Sequence, residues 1–144
     1  MDSRERLRQS LNHQQPDRVC VDFGATPVTG IHVSALTRLR HAVLGESDYR
    51  VRVTEPYQML GEVAMDLLKA LEIDVVRLPA TGTHFGFGNS DFKPWRTFDG
   101  TNVLVPGKFN TEPEPDGSIV QYPQGDRSFA PSARMPKGGF YFDA

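Results

Sequence analysis

Hydrophobic positions in this chain change period several times, and the changes mark out its elements. Leu7 and Leu11 share one face of a short helix opened by Asp2, with Glu5 as a capping-box partner and Pro16 as the stop. The period then drops to two. Val19, Val21 and Phe23 alternate with Arg18, Cys20 and Asp22 until Gly24 breaks the run, which predicts a strand over 19–23. A second helical stripe of Val33, Leu36, Leu39 and Val43 begins with Ser34 as cap and stops at Gly45, with Arg38, Arg40 and His41 pointing outward. Tyr49, Val51 and Val53 alternate with Arg50, Arg52 and Thr54 as a short half-exposed strand. Pro56 suits the first turn of a third helix. Its stripe of Leu60, Val63, Leu67 and Leu71 is the clearest in the chain, with Glu62, Asp66 and Lys69 on the wet side. It leads into the β-branched run 73–78, a second strand closed by Pro79.

Beyond Ala80, turn-forming residues take over. Gly82, Gly86 and Gly88 interleave with His84, Phe85 and Phe87; Asp99-Gly100, Pro106-Gly107 and Asp116-Gly117 then separate the runs 102–105, 108–111 and 118–122, a pattern suited to an antiparallel meander. Strand, helix and strand, each strand leading into a glycine-bearing loop, predict an α/β fold that opens a TIM-type (β/α)8 barrel. Residues 1–95 would hold the first helix and two β/α units, and 96–144 a loop-rich excursion of the same domain. Such a barrel takes about 250 residues, so it would not close within 144. Open strand edges imply self-association or pairing with the rest of a barrel.

Charge narrows the partners. With 16 basic and 18 acidic residues and a net charge of −2, nothing points to nucleic acid or a membrane surface, and a small ligand fits better. A single cysteine, Cys20, excludes an internal disulfide and a multi-cysteine metal site and suits a reducing cytoplasm. No run approaches the length of a membrane span. The loop 24–32 offers Thr26, Thr29 and His32 between a strand and a helix, where a carboxylate or phosphate can meet free amides. Capping of the next helix by the threonines is the competing account. His84 is placed to donate to, or stack on, a ring-shaped ligand, with a structural role among its aromatic neighbours as the alternative. The spacing of Gly82, Gly86 and Gly88 fits neither a dinucleotide fingerprint nor a P-loop. Asp22 and Asp74 are too isolated to make an acid/base pair. The Ser3-Arg4-Glu5-Arg6 stretch reads as a solvated helix face, with Arg18 held by local carboxylates.

The run RERLRQSLNHQQPDRVCVDFG, the following Thr26-Pro27-Val28-Thr29-Gly30-Ile31-His32, then Pro56-Tyr57-Gln58-Met59-Leu60, Asp74-Val75-Val76, Lys93-Pro94-Trp95 and finally Met135-Pro136-Lys137-Gly138-Gly139-Phe140-Tyr141-Phe142-Asp143 carry a resemblance. In that order they resemble the N-terminal part of the uroporphyrinogen decarboxylase superfamily, which includes the cobalamin-dependent methyltransferases. The resemblance implies an N-terminal fragment of a barrel enzyme, inactive alone. Decarboxylases of this family set arginines in the first loop and an aspartate near the second strand against a tetrapyrrole. Here the first loop, Gly24 to Gly30, has no arginine, and the second strand exits through Pro79-Ala80-Thr81 with no aspartate. The likeness is therefore greater to the corrinoid-linked methyltransferase branch; a tetrapyrrole decarboxylase and a truncated non-enzymatic module are the alternatives. The methyltransferase branch implies zinc and a corrinoid, with the zinc ligands in later strands, so neither metal-binding nor catalytic residues are assigned in this chain. Thr26, Thr29, His32 and His84 are the residues expected to contact a ring acid or a corrinoid.

Overall fold

The computed structural model describes residues 1–143, and among them every strand ladder is antiparallel. Three helices form, α1 (Ser3–Leu11), α2 (Val33–Leu44) and α3 (Met65–Ala70). The strands β1 (Val53–Glu55) and β2 (Leu60–Gly61) make one hairpin, and β3 (Lys93–Arg96) and β4 (Asn102–Val105) a second. β5 (Thr111–Pro113), β6 (Ile119–Gln121) and β7 (Ala133–Met135) form a three-stranded sheet in that order.

The expected opening of a TIM-type (β/α)8 barrel is therefore corrected. Segments 19–23 and 74–78 touch, but through a single backbone bond, from the Asp74 amide to the Val21 carbonyl at 3.0 Å, and no ladder grows from it. A parallel sheet is stable when both faces are covered. Here Val19 is 79% exposed, Val76 54% and Leu78 89%, so although Phe23 packs against the core, most of the side chains that would have made the sheet's core are left to solvent.

The third helix is corrected too. The chain turns at Pro56 to Met59, and Leu60 and Gly61 pair with Glu55 and Val53 instead of opening a helix. Gly61 makes this possible. A Cβ there would lie 2.7 Å from the Leu36 side chain and 2.9 Å from Val51, so only glycine lets β2 lie this close to α2. What remains helical is one short stretch, with Leu67 and Leu68 buried.

The faces of the first two helices also differ from expectation. On α1, Leu7 and Leu11 face solvent and Arg6 is buried, so the N-terminal stretch is not simply a solvated face. On α2 the N-cap is His32 rather than Ser34, while Gly45 closes the helix in the left-handed conformation with its amide on the His41 carbonyl at 2.9 Å. Arg40 points inward and clamps α2 to its surroundings through Glu46 and Asp66, the residue after the start of α3.

One core joins these pieces. Val33 and Leu36 of α2 meet Val51, Val53 and Met59 of the first hairpin and Leu67 of α3. The core continues into Val103, Val105 and a run of edge-to-face rings, Phe85 to Phe142, Phe142 to Phe109, and Trp95 to Phe109, with centroids 5.6 to 5.8 Å apart. Phe142 is fully buried, and its amide donates to the Tyr57 carbonyl at 2.9 Å. This draws the 140–143 segment against the first hairpin. Among the described residues no helix is long and apolar enough to cross a membrane.

Candidate functional site

The loop 24–32 is folded on Asp22. Its carboxylate accepts from the Ala25 amide and the Thr29 hydroxyl, both at 3.1 Å, and Thr29 Oγ1 in turn accepts from the Thr26 amide at 3.2 Å. The two threonine hydroxyls lie 3.3 Å apart. Gly24, with φ +82, then closes the turn by donating to the Thr29 carbonyl at 2.9 Å. The threonines thus satisfy one another and their own backbone.

His32 ties this loop to the C-terminal segment. Its Nδ1 accepts from the Ser34 amide at 3.2 Å, capping α2, which assigns the ring proton to Nε2; Nε2 then donates to the Phe140 carbonyl at 2.8 Å. The imidazole also stands edge-on to the Phe140 ring, 5.3 Å between centroids. His84 lies against Tyr57 at 4.6 Å and edge-on to Phe85 at 5.9 Å.

Between the tethered loop and the first hairpin lies a hollow of about 460 Å³ walled by Val28, Tyr57, Gln58, Leu60, Tyr141 and Asp143, among others. The four residues expected from the sequence frame it rather than form its surface. Thr26 and Thr29 shape the loop, His32 anchors the loop to 140–143, and His84 backs the Tyr57 ring. The wall residues are not among those expected from the sequence to contact a ligand, although Pro56-Tyr57-Gln58 and Phe140-Tyr141-Phe142 both lie within the motifs that carry the resemblance.

Two arginines of the N-terminal stretch, Arg6 and Arg18, are gathered on Asp74. Asp74 accepts from Ser3 at 2.9 Å, from Arg18 at 2.7 Å, from the Val21 amide at 3.0 Å, and from Arg6. Burial pushes its carboxyl upward, but the Val21 amide and the Ser3, Arg6 and Arg18 donors outweigh burial and hold it at about 2. Arg6 is further bound to Asp17 at 2.7 Å, and that hydrogen bond is the main reason the Asp17 carboxyl lies far below the ordinary carboxylate range. Both arginines are occupied. Burial raises the Cys20 thiol above its ordinary value, which disfavours a thiolate nucleophile.

Among the described residues no three His, Cys, Asp or Glu side chains converge as a metal site, so they do not fit a zinc ligand set. The hollow suits an apolar ring edge with an amide partner from Gln58. It is too small for a whole macrocycle. Comparison of the chain with known family models, curated proteins and solved structures finds no match.

Proposed function

We propose that the chain is part of an enzyme similar to the corrinoid-linked methyltransferases of the uroporphyrinogen decarboxylase superfamily, and that it supplies contact to one edge of the ring-shaped ligand rather than the reacting groups. The ordered sequence motifs support this reading. The observation that carries the choice of branch is the charge of the hollow: Asp143 lines it and no Lys or Arg does. A tetrapyrrole bearing several acetate groups needs cations where its carboxylates leave water. A corrinoid presents an apolar ring rimmed by uncharged amides. Val28, Tyr57 and Tyr141 can cover such a ring edge, and Gln58 can bond an amide. When bound, a corrinoid would supply the transferable methyl group; the residues of this chain bind and orient its rim.

Equilibrium dialysis of the purified chain against methylcobalamin and against uroporphyrin tests the assignment. Saturable binding of methylcobalamin in preference to uroporphyrin is expected. Preference for uroporphyrin would move the protein to the decarboxylase branch, and binding of neither would remove the hollow from consideration.

A further inference from the structure

We propose that the run Val75 to Leu78 is a docking edge for an extended peptide in which an acidic residue sits between two apolar ones. The edge shares no residue with the hollow between 24–32 and 140–143, so the inference stands apart from the corrinoid reading.

The backbone comes first. Among the described residues, no main-chain amide or carbonyl from Val75 to Gly82 has a hydrogen-bond partner; pairing stops with the Asp74 amide on Val21 and resumes with the Thr83 amide on Phe87. Val76, Leu78 and the residues from Pro79 to Gly82 are exposed, so these groups are open to a partner. An extended run of free amides and carbonyls is a template for a further strand. Pro79 has no amide to give, which confines strand addition to Val75–Leu78.

Side chains along this edge alternate. Val76 is 54% exposed and Leu78 89%, and two residues apart they share one face, while the half-buried Arg77 turns to the other. On that other face the charges do not balance. The shielded arginines Arg6, Arg18 and Arg40 each hold a carboxylate, whereas Arg77, among the described residues, has none within 4.0 Å and only the neutral hydroxyl of Thr54 as a side-chain partner. It lines a recess of about 240 Å³ with Arg52, Glu62 and Phe92. The link from Arg52 to Glu62 is long, 3.8 Å, between two half-exposed side chains, and the Arg52 guanidinium lies 5.2 Å from the centre of the Phe92 ring. Two cations against one carboxylate leave the recess positive, and the unused donors of Arg77 form a fork that matches an incoming carboxylate. Pro79 and Ala80 line the same recess, so it opens beside the edge.

The two features select the occupant together. A small carboxylate would answer the recess alone, and any strand would answer the edge alone. A strand with an acidic residue between two apolar ones answers both: set against Val76-Arg77-Leu78, its apolar side chains lie on Val76 and Leu78 while its carboxylate meets Arg77 on the opposite face. The recess has the volume of about eight liquid waters, room for one such acidic side chain.

The probe is the capped peptide threonine-valine-glutamate-valine-threonine, with its glutamine analogue and free glutarate for comparison. Each is titrated into the full chain by calorimetry, and main-chain amide exchange is followed by NMR. The glutamate peptide is expected to bind saturably, about tenfold more tightly than the glutamine peptide or glutarate, and to slow exchange at alternate amides between Val75 and Leu78 at least tenfold. Arg77→Gln should bring the glutamate peptide down to the affinity of its glutamine analogue. Leu78→Asp, at an exposed position, should weaken both peptides at least tenfold. If circular dichroism shows that Arg77→Gln does not fold, the comparison of the two peptides on the unchanged chain decides the matter. The proposal is overturned if the two peptides bind alike, if folded Arg77→Gln or Leu78→Asp binds the glutamate peptide unchanged, or if the slowed amides lie outside 75–78. Glutarate binding as tightly as the peptide would overturn it in favour of a small-anion site, and slow exchange of these amides in concentrated protein without peptide would overturn it in favour of a second copy of the chain.

Discussion

Val21 and Asp74 hold each other twice: the Asp74 amide donates to the Val21 carbonyl, and the Val21 amide donates to an oxygen of the Asp74 carboxylate, each at 3.0 Å. A strand neighbour would have offered Val21 a backbone carbonyl. Here a side chain takes that place, and the same carboxylate gathers Ser3 of α1 together with Arg6 and Arg18. The contact between the two extended segments is therefore an ionic knot rather than the start of a ladder.

Removing the carboxylate should be costly. In Asp74→Ala, Arg6 is left buried with only Asp17 as its ionic partner, and the Val21 amide loses its acceptor. Loss of one partner from a buried ion pair typically costs about 3 kcal/mol or more. Urea unfolding is expected to show a loss of that size, against less than about 0.5 kcal/mol for a surface change such as Arg8→Ala. Equal midpoints for the two variants would contradict the knot.

Acid should unfold the protein within a narrow window. Asp74, Asp66 and Asp99 are each held at about 2. For Asp66 the leading cause is the Arg40 hydrogen bond. For Asp99, burial pushes upward and is outweighed by Thr97, Thr101 and Ser34. A carboxyl depressed in the folded state adds stability that is complete above its ordinary value near 4 and is lost as the pH falls toward 2. The unfolding midpoint should thus hold steady from pH 7 to about 4 and drop below it. A midpoint unchanged down to pH 2.5 would speak against these pairings.

What the sequence reveals of the fold depends on whether a residue's partner is near in the chain. The caps and turns are local: Asp2 accepts from the Glu5 amide, Gly45 ends α2, and Asp99-Gly100 lies between β3 and β4. The misreadings share a different cause. Arg6 looks solvated until Asp17 and Asp74 are brought to it, and Leu60 fits a helical stripe until Gly61 lets it pair with β1. Residues 19–23 alternate like a strand and 73–78 are a β-branched run, but Val19, Val76 and Leu78 find no layer to cover them. The loop 24–32 was legible as a candidate, while the wall of the hollow beside it was not. Threonine and histidine attract attention as donors, whereas Val28 and Tyr141 offer exposed apolar surface, which no spacing rule marks.

Two left-handed glycines should respond differently to alanine. Gly45, φ +72, has open space where a Cβ would go, so Gly45→Ala should cost only the backbone term of about 1 kcal/mol. At Gly125, φ +73, a Cβ would stand 2.1 Å from the Lys108 carbonyl oxygen. The added steric term should bring Gly125→Ala about 1 to 3 kcal/mol lower still. Calorimetric melting of both proteins checks the order, and a Gly45→Ala protein no more stable than Gly125→Ala would show the contact is easily relieved.

Loop 24–32 allows framing to be separated from contact. Thr29 bonds Asp22 and shapes the turn, and His32 caps α2 and anchors Phe140, so Thr29→Ala and His32→Ala should each lower stability by about 1 kcal/mol. Both should leave the affinity of the folded fraction for methylcobalamin within about twofold, because neither side chain forms the surface of the hollow. Val28 is the opposite case. It is 94% exposed, so Val28→Asp should change stability by less than about 0.5 kcal/mol. Yet it sets a second carboxylate on the hollow that Asp143 also lines, and should weaken methylcobalamin at least tenfold through the desolvation of a charge on an apolar face. Unfolding curves and dialysis on the three variants decide the point together. If Thr29→Ala and His32→Ala reduce affinity while Val28→Asp does not, the hydroxyl and the imidazole are the ligand contacts after all.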